Sequence, residues 1–160
     1  MRTVAFDDLE SAMGQYVEST LLKDEKVVFE TRLHPIIFLP GALIISGAPL
    51  VLDADRNLVA GAVVVALTGA LFLLSAFILR ATSEFAVSNK RVIIKTGWLS
   101  RRTIEMNLSK VESVDVSQGI LGRIFGYGRI VVVGTGATRE PFSDIASPME
   151  FRRAIQSQSA

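Results

Sequence analysis

Two uncharged apolar runs divide the chain. Residues 58–79 are 22 in a row without a charge, and Thr68 and Ser75 are their only polar side chains. At ~1.5 Å rise per residue a helix of this length covers about 33 Å, enough to cross a hydrocarbon core of roughly 30 Å. Residues 33–52 form a second uncharged run of 20, opened by His34 and punctuated by Pro35, Pro40 and Pro49. Pro35 suits a first helical position, whereas Pro40 and Pro49 should bend or locally break the span. A helix apolar on every side has no place on the surface of a small soluble domain. Both runs are therefore read as transmembrane, and the five residues between them (53–57) leave room only for a tight antiparallel reversal. The pattern predicts a helical hairpin over 33–80.

After residue 80 the period changes from helical to alternating. Residues 84–87, 91–96 and 98–108 read as successive strands, with the Ser88-Asn89-Lys90 cluster and Gly97 as turns. Ile104, Met106 and Leu108 alternate with Thr103, Glu105 and Asn107, and Val114 and Val116 in the 111–117 run are opposed by Ser113 and Asp115. A glycine-rich passage leads to the β-branched residues 130–133, and a short run near Phe142 suggests one more strand. Ser147-Pro148-Met149-Glu150 then reads as a helix start, with Ser as N-cap, Pro at the first helical position and Glu closing a capping box. Five or six antiparallel strands closed by a helix over 148–158 predict an α+β domain over 81–160, a small barrel or half-barrel with a helical cap.

The leader, residues 1–32, carries Phe6, Leu9, Met13, Val17 and Leu21 at helical spacing, which predicts an amphipathic helix over 6–22. Its polar face is acidic, whereas helices lying on bilayers carry Lys or Arg there, so contact with protein is the better reading. Residues 26–31 look strand-like and are expected to complete the sheet from before the hairpin.

Charge sets the orientation. Lys23, Lys26 and Arg32 precede the spans and Arg80, Lys90, Arg91 and Lys95 follow them, while Arg56 alone lies between. Seven basic residues against one place both termini in the cytoplasm. The formal net charge of +1 hides a leader with four basic and seven acidic residues and a segment 80–160 with twelve and seven. This field suits an anionic membrane surface and is too weak to argue for nucleic acid. A mean hydropathy of +0.41 agrees with the hairpin. The chain has no cysteine, which removes disulfides, thiolate metal sites and a cysteine nucleophile. His34 is the only histidine and has no imidazole partner for zinc. Neither a nucleophile elbow nor a phosphate-binding loop is present, and the G-x-G runs at 126–128 and 134–136 lack the third glycine. Neither span holds an ionisable side chain away from its ends, so an ion relay has nothing to use. No catalytic, metal or cofactor site and no small-molecule substrate is expected.

Several segments together resemble the bacterial, membrane-anchored branch of the pleckstrin-homology-like superfamily. They are Glu25-Lys26-Val27-Val28 running into Leu33-His34-Pro35, the 84–92 strand with its Ser-Asn-Lys-Arg turn, the 97–108 strand, the 111–118 strand, and Gly122-Arg123-Ile124-Phe125-Gly126-Tyr127-Gly128, expected to be a strand-joining link. The resemblance covers roughly residues 21–156. It implies a PH-like barrel and a location at the bacterial cytoplasmic membrane, and it implies no activity.

Two functions are compatible with this reading. One is a non-enzymatic interaction or scaffolding platform that assembles with itself or with another membrane protein. The other is recognition of anionic lipid headgroups. The residues expected to contact lipid or a partner are Lys90, Arg91, Lys95, Arg101 and Arg102. Ala62, Ala66 and Ala70, with Gly69 beside them, form a small-residue stripe on the second span against which another helix can pack. That helix is either the first span or one from a second copy.

Overall fold

The computed structural model describes residues 15–54, 58–97, 102–136 and 138–158. The chain forms two compact units, one built from the segment through His34 together with everything from Ala81, the other from Pro35–Arg80. Seven strands, β1 (Val27–Thr31), β2 (Glu84–Ser88), β3 (Arg91–Thr96), β4 (Arg102–Asn107), β5 (Val111–Ser117), β6 (Tyr127–Gly134) and β7 (Thr138–Ala146), are described. The helices are α1 (Gln15–Thr20), α2 (Leu39–Ala54), α3 (Val59–Thr82), α4 (Ile120–Phe125) and α5 (Pro148–Gln158). Because β1 pairs with β2, the apolar hairpin is an insertion between two neighbouring strands of one sheet.

The first unit holds two antiparallel sheets, β1-β2-β3-β4 and β5-β6-β7. They meet where the leader continues past β1. Leu33 bridges Ile145, the Ala146 N–H donates to Arg32 O at 2.9 Å, and the His34 N–H donates to Asp144 O at 2.6 Å. The small barrel or half-barrel expected from the sequence is thus two sheets joined through the segment that precedes the hairpin, and residues 27–31 pair with β2 as expected.

Alternation decides what each face of β3 does. Val92 and Ile94 share one face with their register partners Val87 and Phe85, and these four are under a tenth exposed, as are Ile130, Val132, Phe142, Phe151 and Ile155. Phe85 and Phe142 pack edge to face at 5.6 Å. On the other face Ile93 and its register partner Ala86 are covered by Val17 of α1, with Tyr16 and Leu21 alongside. Covered on both faces, β2 is buried at every residue, which is why its sequence shows no clean alternation.

β3, β5 and α5 take the bounds their patterns predict. In the third run, β4 starts at Arg102, residues 98–101 lie outside the described residues, and Leu108 begins a short 3-10 turn. Of the leader helix, residues 6–14 lie outside the described residues and Gln15–Thr20 is helical. The glycine-rich link is not a simple strand connection: it contains α4, stopped by Gly126 at φ 77°, a left-handed position that suits glycine.

Ser147 also differs from expectation. It sits at φ 48°, in the left-handed region instead of the extended conformation of an N-cap, and its carbonyl accepts from the N–H groups of Glu150 and Phe151, both at 3.1 Å. A non-glycine residue there costs roughly 1 kcal/mol. Ser147→Gly is therefore expected to raise stability by about 0.5–1 kcal/mol, read as a higher melting temperature of the full chain in detergent.

In the second unit a 3-10 turn, Pro35–Phe38, leads into α2. Pro40 falls in the first turn of α2, where its missing N–H breaks no helical bond, and Pro49 lies inside the helix. Ala62, Gly69 and Ala76 are the buried residues of α3. A Cβ on Gly69 would stand 2.5 Å from Ile45 Cγ1 and 2.8 Å from the Ile45 backbone nitrogen, so the two helices approach there as closely as glycine permits. Gly69→Leu should cost about 1–3 kcal/mol of helix pairing through overpacking. Cysteines placed at Gly47 and Val65, which face each other in the hairpin, should crosslink more slowly in that background.

Candidate functional site

The Ser88-Asn89-Lys90-Arg91 turn joins β2 to β3 and is fastened to the leader. The Glu25 side chain is fully buried. It accepts the Ser88 hydroxyl at 2.6 Å, the Leu22 N–H at 2.8 Å, and Nε and Nη2 of Arg91 at 3.0 Å each. Arg91 also donates to Glu105 Oε2 at 2.5 Å and to the Thr20 carbonyl at 2.6 Å. Asn89 continues the contact, accepting from the Lys26 N–H at 3.0 Å, while its own N–H donates to Lys26 O at 3.0 Å. Burial pushes the Glu25 carboxyl up, but the bonds from Ser88, Leu22 and Arg91 outweigh it and hold the group below the ordinary carboxylate range. Glu30 on β1 goes the other way. Burial raises it, Arg32 opposes, and the charges of Glu84 and Glu18 add to the rise.

Most of the basic residues singled out in the sequence have partners here. Arg91 is enclosed in the network just described. Lys95, four residues on along the same face of β3, pairs with Glu84 at 3.0 Å and lies 4.6 Å over the Tyr16 ring. Lys90 donates through Nζ to Lys23 O at 3.0 Å from an exposed position. Arg102 is 63% exposed and pairs with Glu140 at 2.6 Å, and Arg101 lies outside the described residues. The structure therefore brings Lys90, Arg91 and Lys95 together against the leader, with α1 over Arg91 and Lys95, while Arg102 stands apart on β4. Glu25, Ser88 and Glu84 complete this arrangement and were not among the residues picked out. The signal for them was the pairing of two acidic positions with the basic turn, but their separations of up to 66 residues hide it.

The other surface of note is apolar. In the hairpin, Leu43, Leu50, Leu71 and Phe77 point outward, and Leu50 reaches 70% exposure. The hydroxyls of Ser46, Thr68 and Ser75 each bond a carbonyl of their own helix at 2.8 Å, which leaves none of the three unpaired on this apolar surface. Of the small-residue stripe, Ala62 and Gly69 face inward, Ala66 is half-buried and Ala70 is exposed. Pro35–Asp53, the 3-10 turn together with α2, and Val59–Thr82 are each long and apolar enough to cross a membrane. Among the described residues no three His, Asp or Glu side chains gather in a way that would hold a metal.

Comparison with known proteins places this architecture. A crystal structure of a DUF1696 family protein with a pleckstrin-homology domain from Shewanella loihica PV-4 superposes with a TM-score of 0.51. The match spans 94% of this chain and 92% of that one at 8% identity, which is a likeness of fold. No curated protein matches the chain. The family model described as "Bacterial PH domain" matches residues 35–159. With that match over most of its length, and with two antiparallel sheets closed by a C-terminal helix, the chain belongs to the bacterial PH domain family.

Proposed function

We propose that the chain is a non-enzymatic PH-like interaction platform held under the bacterial cytoplasmic membrane by its hairpin, with both termini in the cytoplasm, and that it self-associates or joins another membrane protein. The observation that carries this reading is the set of committed cations. Arg91 and Lys95 are tied to Glu25, Glu105 and Glu84, so the turn where a PH-like domain would hold a phosphorylated headgroup has little free positive charge to offer. The outward leucines of α2 and α3 call for lipid or another helix. Ala70, exposed, and Ala66, half-exposed, leave part of the small-residue stripe for a second copy.

Headgroup recognition is the competing function, and the two separate in one set of measurements on the full chain in native-membrane discs. Single-molecule photobleaching is expected to show more than one step, and a uniform single step would retire self-association. Exchange of anionic for zwitterionic lipid should leave the oligomer intact; specific binding of an anionic lipid by native mass spectrometry would favour the competing reading. Reporter fusions in the 53–57 loop and at the C-terminus should score outside and inside, and the reverse pattern would overturn the orientation.

A further inference from the structure

α4 is short, but four of its six residues carry large apolar side chains turned outward. Ile120 is 82% exposed, Leu121 58%, Ile124 69% and Phe125 57%. A PH-like domain gains nothing from such a knuckle in water, since a patch of this kind normally marks a contact. Its place in the unit says which contact. Thr31 pairs with Phe85, so the strand that enters the hairpin and the strand that returns from it run from one edge of the sheet. The His34 ring, at the last residue before the hairpin, stacks on Tyr127 at 5.1 Å, and Tyr127 is the second residue after α4. Gly126, the helix stop, accepts the Ser147 N–H at 2.8 Å, and Gln118 donates to the carbonyls of Gly122 and Tyr127 at 3.2 and 2.9 Å. These bonds fix α4 at the edge from which the chain leaves. The tether there is minimal: Pro35 follows His34 directly, and Ser83 alone separates α3 from β2.

From this geometry we propose that the apolar face of α4 seats in the cytoplasmic leaflet of the bilayer, with Arg123 reaching its headgroups. The proposal rests on the hairpin crossing that bilayer. Joined to both ends of a membrane-crossing hairpin by one residue or none, this edge is within chain reach of the headgroups, where Ile, Leu and Phe enter the acyl boundary and an arginine stays at the charged rim. A second copy of the chain, or residues 1–14, are the other possible occupants.

The chain has no cysteine, so single cysteines report position cleanly. The full-length variants Ile124→Cys, Phe77→Cys and Glu112→Cys carry an environment-sensitive fluorophore. They are reconstituted into phosphatidylcholine–phosphatidylglycerol vesicles containing nitroxide lipids. Ile124 is exposed and Glu112 lies on the solvent face of β5, so neither change should disturb folding. The label at 124 is expected to be quenched by nitroxide roughly threefold or more over that at 112, approaching the label at 77. Quenching at 124 no greater than at 112 overturns the proposal. So does a label at 124 that is shielded from water yet unquenched, because protein then covers the face. If the label at 77 is also unquenched, the membrane reading itself fails, and the seating of α4 falls with it.

Discussion

Arg91→Met should lower the stability of the folded domain by about 3–5 kcal/mol, because it strands a buried carboxylate. The Glu25 side chain has no solvent exposure, and two of its bonds come from Arg91. Removing the guanidinium also frees Glu105 and the Thr20 carbonyl, so α1 and the turn before β1 lose their hold on β3. Glu25→Leu added to Arg91→Met should recover much of the loss, since a buried ion pair replaced by apolar groups is often neutral or better. Chemical unfolding of the full chain in detergent micelles, followed through the domain's amide signals, measures both. Full stability of the single variant would show that Arg91 is no anchor.

The same network sets an acid limit. Glu25 titrates below its ordinary value in the folded state, so its contribution is complete above the unfolded carboxylate range and disappears as the pH falls through the lower, folded value. Glu25→Gln should therefore lower stability at neutral pH and flatten its decline in acid. An unchanged acid limb would assign that decline to other carboxylates. Glu30, which is shifted upward, acts in the opposite sense and loses part of its contribution as the pH rises past the ordinary carboxylate range.

The parts of this fold that were legible are those whose cause is local. β5 could be bounded from its alternation, and α5 from Ser147-Pro148 and the Phe151/Ile155 spacing. The two hairpin helices were legible because each is a long run without a charge, bounded by a short polar turn. What stayed hidden depends on distant partners or on backbone geometry. Arg91 and Lys95 look like solvated charge in sequence, and only the pairing of β1 with β2 brings Glu25 and α1 over them. α4 escaped notice because its apolar residues face outward and its glycines suggest a loop. Ser147 has the composition of a cap, yet the hydrogen bond from its N–H to Gly126 accompanies a φ that a cap does not take. The candidate contact residues failed to separate from structural ones for the same reason: sequence shows a charge and conceals its partner.

Phe151→Ala should cost about 3–5 kcal/mol, the range for truncating a fully buried phenylalanine. The ring is completely buried where α5 crosses the sheets, and it meets Phe29 edge to face at 6.3 Å and 71°. Phe29 belongs to β1, so this one ring couples the last helix of the chain to a strand that precedes the hairpin. The transfer loss and the cavity fall on α5, while the lost aromatic contact falls on β1. A double-mutant cycle with Phe29→Ala isolates the second part, expected at about 0.5–1.5 kcal/mol. Hydrogen exchange of the full chain should then show faster exchange in both α5 and Val27–Thr31 of the Phe151→Ala protein, with α2 and α3 unchanged. Exchange that quickens in α5 alone would mean that β1 is held by its pairing with β2 and by Glu25, with no contribution from the helix.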